Sequence, residues 1–225
     1  MQNRFSTRYS LIFRMRLLTA SALLLLSTLA QAELLISLRG EPAPGALLIG
    51  QTLPGAEVWL DGQAVRVSES GHFLFGFGRD EQGEKLLRIR AGERQQEQRI
   101  RLAPRQWNIQ RVEGVPARTV TPPEEDLARI RQEAALVHTA RQTDSDLRDF
   151  LSDFVWPASG RISGVYGSQR YYNGTPGNPH LGVDIAAPTG TAVIAPAGGV
   201  VTLVHQDMFY SGGTLLIDHG MGLSS

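Results

Sequence analysis

Along residues 33–115 apolar and polar positions alternate with a period of two, the pattern of extended strands with one buried face. Val65 and Val67, then Phe73, Phe75 and Phe77, then Leu87 and Ile89, then Ile100 and Leu102 carry the alternation. Turn residues punctuate it: Pro54-Gly55 and Asp61-Gly62 bracket Ala56 to Leu60, Ser70-Gly71 precedes the phenylalanines, and Gln82-Gly83 follows them. Short strands at this spacing predict a small antiparallel β-sandwich over residues 33–115. Nothing in it has a catalytic pattern. His72 opens an apolar strand with no acid at metal-ligand spacing and reads as structural. Arg99 and Arg101 alternate with Ile100 and Leu102, which makes one basic strand face, expected to be solvated.

The period then becomes helical. Thr121-Pro122-Pro123-Glu124 offers a capping hydroxyl, a proline at the first helical position and a glutamate three residues beyond the cap. Glu125 and Asp126 add negative charge near the positive helix end. Leu127, Ile130, Ala134 and Val137 share one face, with His138 beside it, so residues 116–150 are expected to form a helical linker docked through that stripe. From Leu151 onward the composition shifts: more than half of the 24 glycines lie there, with Arg161 and Arg170 as the basic residues and Asp153, Asp184, Asp207 and Asp218 as the acids. Short β-like runs at Arg161 to Tyr166, Val183 to Ile185, Thr191 to Ala195, Gly199 to Val204 and Thr214 to Ile217 predict a second β unit, and an all-β fold overall.

Composition narrows the chemistry. With 42% hydrophobic and 20% charged residues the chain is of ordinary globular make-up, and 22 basic groups balance 22 acidic ones, which argues against nucleic acid as a partner. There is no cysteine, so disulfides, thiolate zinc sites and cysteine nucleophiles are excluded, and a metal site must use histidine and carboxylate ligands. The charge is unevenly placed: Arg4, Arg8, Arg14 and Arg16 precede an apolar run from Leu17 to Leu29 that ends in Ala30-Gln31-Ala32. This order of basic, apolar and small residues reads as a secretory signal over residues 1–32, cleaved after Ala32. The run is short of the roughly 20 residues that cross a bilayer, so no stable membrane span is expected after cleavage. Loss of four arginines and no acid leaves a mildly acidic exported protein, expected in the periplasm.

The segment that carries chemistry is Pro179-His180-Leu181-Gly182-Val183-Asp184. An imidazole and a carboxylate four residues apart can each reach one zinc ion at about 2.0–2.2 Å. Gly182 lets backbone come close, and the glycine-rich stretch from Gly164 to Gly177 offers an exposed loop as a cleft wall. Around this pair stand Trp156-Pro157, Gly160-Arg161-Ile162-Ser163, Tyr166-Gly167, Ile185 to Thr191, Ala195 to Val201 and Ile217-Asp218-His219-Gly220. In these motifs the chain from about Trp156 to Ser225 resembles the lysostaphin-type (LytM-like) zinc endopeptidases, which cut peptide bonds in bacterial peptidoglycan. The resemblance implies Zn2+ as cofactor, His180 and Asp184 as its first two ligands, peptidoglycan as partner, and residues 151–225 as the N-terminal part of an incomplete antiparallel β-sheet catalytic domain. The sandwich is similar to the accessory domain of periplasmic relatives.

Members of that family carry, beyond the position of Ser225, a catalytic histidine in a Tyr-x-His-Leu-like strand and an H-x-H motif that supplies the third zinc ligand. The resemblance therefore assigns no catalytic residue within these 225 positions, and the chain as written is expected to hold zinc weakly and to hydrolyse poorly or not at all. His219, in the Asp-His-Gly turn, and His205 are expected to stay off the metal. Tyr166 is expected in the core, while Tyr171, Tyr172, Phe209 and Tyr210 are read as loop anchors or as groove lining. Arg170, alone on the glycine-rich loop, is either a solvated arginine or a partner for a substrate carboxylate. Two readings from other classes stand beside this one. The first is a non-catalytic module that docks to cell-wall amidases, against which retention of His180 and Asp184 argues; the second is a carbohydrate-binding protein built on the sandwich.

Overall fold

Phe73, Phe75 and Phe77 alternate with smaller or polar neighbours, and all three are buried, which is the alternation read from the sequence now seen in space. A computed structural model of the chain describes residues 33–114 and 122–225. The expected export signal at residues 1–32 and the Thr121 cap lie outside the described residues. The first seven strands are β1 (Leu35–Arg39), β2 (Leu47–Thr52), β3 (Glu57–Leu60), β4 (Gln63–Val65), β5 (His72–Gly76), β6 (Glu84–Ala91) and β7 (Arg94–Arg101). They form two antiparallel sheets, ordered β1-β2-β5 and β4-β3-β6-β7. Leu48, Phe73 and Phe75 from one sheet meet Val58, Leu87, Ile89 and Ile100 from the other in a single apolar core.

Close packing within the first sheet depends on a glycine. Gly50 lies opposite Phe73 across β2 and β5, and a Cβ there would come within 2.1 Å of the phenylalanine ring. His72 is structural, as read: its Nδ1 is 3.0 Å from Ser70 Oγ, and burial followed by the nearby Arg148 charge lowers its pKa. On the basic face expected on β7, Arg99 is exposed as read and is paired across the strands. Arg99 pairs with Glu84 at 2.7 Å, Arg88 with Glu97 at 2.9 Å, and Arg90 with Glu57.

Beyond the sandwich comes β8 (Ile109–Val112), then α1 (Leu127–Arg141), then β9 (Arg161–Gly164), β10 (Gln169–Tyr172), β11 (Thr175–Pro176), β12 (Asp184–Ala186), β13 (Val200–Met208), β14 (Gly212–Gly220) and β15 (Leu223–Ser224). β9 pairs with β12, β10 with β11, and β13, β14 and β15 form a sheet, all antiparallel. Among the described strands one pairing is parallel. β8 lies beside β10, with Gln110 opposite Arg170.

Two local expectations need correction. Thr191 to Ala195 forms no strand; between Pro188 and Pro196 it keeps a backbone bond from Ile194 to Pro157, and the Val193 and Ile194 side chains stay exposed. The α-helix starts at Leu127, after a 3-10 turn at Glu124–Asp126, and not at Pro122. Pro122 precedes Pro123, a position that disfavours helical dihedrals, and Pro123 itself has ψ of 145°. The buried residues of α1 are Glu133 and Ala140, whereas Ala134 of the expected stripe is exposed.

The helix is held to the C-terminal sheet by polar contacts. Arg129 joins Glu133 at 2.7 Å and Asp207 at 3.1 Å, and Glu133 also accepts the Phe209 N–H at 2.7 Å. The Arg129 guanidinium, then that N–H, hold the Glu133 carboxyl below its usual pKa. Past the helix, Asp144 and Asp146 both pair with Arg66 of the sandwich, and the Ser145 carbonyl accepts from the Met221 N–H at 2.9 Å. Through these ties Leu34–Ser225 forms one compact unit. None of the described helices is long and apolar enough to cross a membrane.

Candidate metal centre

His180 and Asp184 are brought together by backbone that comes from two directions. His180 lies in the loop before β12, where its N–H donates to the Ser168 carbonyl at 2.8 Å and its carbonyl accepts from the Gly167 N–H at 2.7 Å. Asp184 opens β12 opposite Gly164 of β9. The result places His180 Nε2 at 3.3 Å from Asp184 Oδ1.

That contact is not a hydrogen bond. It is longer than the usual N–H···O range of about 2.7–3.2 Å, and His180 Nε2 is buried with no hydrogen-bond partner among the described residues. Two ligands each about 2.0–2.2 Å from one ion at a tetrahedral angle stand roughly 3.4 Å apart, so the observed separation suits a shared zinc ion. An orphaned imidazole nitrogen beside a carboxylate oxygen is therefore a fit to the metal. Among the described residues no cluster of three His, Cys, Asp or Glu side chains forms, so these two donors stand without a third there.

Gly164 makes room for the pair. A Cβ at that position would lie 2.2 Å from Asp184 Oδ2 and 3.1 Å from His180 Nε2. The sequence placed Gly164 in a β-like run and at the start of an exposed glycine-rich loop; its contact with the ligand pair depends on the register of β9 with β12, which spacing along the chain does not encode.

The loop that fixes His180 is itself clamped by the sandwich side. Arg79, whose side chain is 9% exposed, donates from Nε to the Gly167 carbonyl at 2.8 Å and from Nη2 to Gln169 Oε1 at 3.2 Å. Trp107 donates from its indole N–H to the Arg79 carbonyl at 3.2 Å and packs on Gly167, where a Cβ would come within 1.9 Å of the ring. Tyr166 meets Trp107 edge-on at 5.7 Å.

The pair opens onto a pocket of about 490 Å3. Asn108 and Gln110 from the β8 side, Arg170 and Tyr172 from β10, and Ser163 from β9 form its walls. Sequence reasoning counted Asn108 and Gln110 with the sandwich and missed their place here, because the parallel pairing joins segments about 60 residues apart. Tyr171 instead lies under Arg111 at 4.7 Å, and Phe209 stacks edge-on with an exposed Tyr210 at 4.9 Å. His219 is fully buried on β14, with Nδ1 at 2.5 Å from the Gly198 carbonyl and Nε2 at 2.8 Å from Ser225 Oγ. A carbonyl only accepts, so Nδ1 donates there, and with Nε2 engaged by the serine hydroxyl neither ring nitrogen is open to a metal. His205 Nδ1 accepts the Asp207 N–H at 3.2 Å.

Residues 178–225, which hold both donors, match the model of peptidase family M23. Over this segment, about a fifth of the chain, the protein is similar to that family. The similarity extends beyond it, to the crystal structure of a Pseudomonas aeruginosa protein described as a candidate M23 peptidase. That protein is 26% identical, with a TM-score of 0.56 over 82% of this chain and 72% of the other. No curated protein matches the chain. In its matched segment and in its largely β architecture the chain is thus similar to M23 peptidases.

Proposed function

We propose that this M23 protein is a zinc-dependent endopeptidase that acts on the peptides of peptidoglycan in the periplasm, with His180 and Asp184 as two of its metal ligands. The observation that carries the reading is the orphaned His180 Nε2 held 3.3 Å from Asp184 Oδ1. Bound zinc would supply Lewis-acid activation of a carbonyl and lower the pKa of water towards about 7. The chain's own residues do the rest of what is visible. The Ser168 carbonyl and Gly167 N–H orient the imidazole through its backbone, Gly164 leaves space for the carboxylate, and the polar walls formed by Asn108, Gln110 and Ser163 suit the amide groups of an extended peptide. A third ligand and the groups that move protons are assigned to residues other than the described ones.

The test has two readouts. The 225-residue chain is expected to bind one zinc weakly, and both His180→Ala and Asp184→Asn to lose it. A longer chain that supplies an H-x-H motif is expected to release peptides from purified cell walls, and its His180→Ala form to release none. Equal zinc content in parent and variants, or equal wall hydrolysis, refutes the proposal.

A further inference from the structure

The wall of the pocket carries one charged group that the metal chemistry does not use. Arg170 stands on β10 opposite Gln110 of β8, and its Nε donates to Gln110 Oε1 at 3.1 Å. This neutral tether fixes the guanidinium plane and leaves both Nη groups without a partner among the described residues. The four acids of the last third are committed elsewhere. Asp153 lies 3.9 Å from Arg39, Asp207 pairs with Arg129 at 3.1 Å, buried Asp218 accepts the Gly220 N–H at 3.0 Å, and Asp184 faces His180. Arg161, the other basic residue of this part, does not line the pocket, and Arg111 on β8 stacks on Tyr171. Among the described residues Arg170 is thus the one arginine or lysine lining the pocket, held at Nε and open at its fork.

A guanidinium fork with two free parallel donors matches a carboxylate better than any other common peptide group. We infer that Arg170, oriented by Gln110, is a carboxylate subsite of the His180–Asp184 pocket, and that the ligand it selects is a peptide with a free C-terminal carboxylate. The inference rests on the peptide-hydrolase reading of the pocket and adds what it selects. Neutral Gln110 suits this role. An acid in its place would compete for the fork, whereas an amide oxygen fixes the Nε edge and adds no charge. Tyr172, on the same wall two residues along β10, gives the peptide an aromatic surface beside the charge.

The experiment is an NMR titration of the chelator-treated 15N-labelled chain with two synthetic tetrapeptides that differ only at the C-terminus, carboxylate in one and carboxamide in the other. The carboxylate form is expected to bind about tenfold tighter, the scale of a charge-assisted hydrogen bond at an exposed site, and to shift the Arg170 Nε–H signal. Arg170→Gln should abolish the preference, so that the two peptides bind alike, Arg170→Lys should keep part of it, and the preference should shrink with added salt. Gln110→Ala should weaken it without removing it. Equal binding of the two peptides by the parent chain, or a preference that survives Arg170→Gln, overturns the subsite and leaves the peptide pocket standing. Failure of both peptides to bind overturns the pocket and the subsite together. Because the metal is absent, loss of the zinc reading alone would leave these outcomes unchanged.

Discussion

Gly164→Ala is the substitution that separates metal binding from stability most cleanly. The new methyl carbon would stand 2.2 Å from Asp184 Oδ2, 2.9 Å from its Cγ and 3.1 Å from His180 Nε2. These are overlaps that something must relieve. The Asp184 side chain is 60% exposed and its carboxylate is the free end of a rotatable bond, so it can swing towards solvent with the backbone unmoved. The expected cost in folding free energy is then small, about 1 kcal/mol or less. Zinc binding should suffer far more, because the carboxylate leaves the place where it faces Nε2. A loss of about 10–100-fold in affinity, the range for misplaced support around a metal ligand, corresponds to roughly 1.4–2.7 kcal/mol. Gly213→Ala serves as control, since a Cβ there meets nothing nearer than the Gln206 carbonyl at 3.5 Å, an ordinary contact. The assay is competition titration of zinc against a chromophoric chelator, with thermal melts of all three proteins. Parent-like zinc affinity in Gly164→Ala would refute the reasoning, and so would a drop in affinity matched by an equal drop in the control.

Other expectations follow from the same structure. Arg79→Met removes the donors to the Gly167 carbonyl and to Gln169, so the loop that orients His180 loosens and zinc affinity should fall about tenfold in the titration, the low end for an outer-sphere support. Phe73→Ala empties the centre of the sandwich and should cost about 3–5 kcal/mol in denaturant unfolding, with zinc affinity unchanged in the protein that remains folded. The Glu133 carboxyl is held below the usual glutamate value of about 4.5 by Arg129 and the Phe209 N–H, so it contributes stability above about pH 4.5 that is lost as pH falls through its lower folded value. The melting temperature should therefore drop at acid pH, and the drop should be shallower in Glu133→Gln.

The parts of the fold that are local in sequence were legible from it. Phe73, Phe75 and Phe77 announce their strand and its buried side, because alternation and burial are the same fact viewed along the chain and in space. His180 and Asp184 share a short segment, so their approach needed only one turn of chain. Where the sequence fell short, the deciding contact was distant or polar. The docked face of α1 is centred on Glu133 and not on Ala134, because a carboxylate satisfied by Arg129 and the Phe209 N–H is buried more readily than an apolar pattern predicts. The β8–β10 pairing, which brings Gln110 to Arg170, joins distant segments in parallel with no turn residue to signal it. Thr191 to Ala195 has β-branched residues enough for a strand, but no neighbour pairs with it beyond the one Ile194 bond.

The central claim is that one ion lies between His180 Nε2 and Asp184. Crystals of the chain soaked in zinc and measured on both sides of the zinc absorption edge would locate it directly. An anomalous peak about 2.0–2.2 Å from both His180 Nε2 and an Asp184 carboxylate oxygen is predicted. A peak elsewhere, with Nε2 hydrogen-bonded to a protein group, would contradict the account.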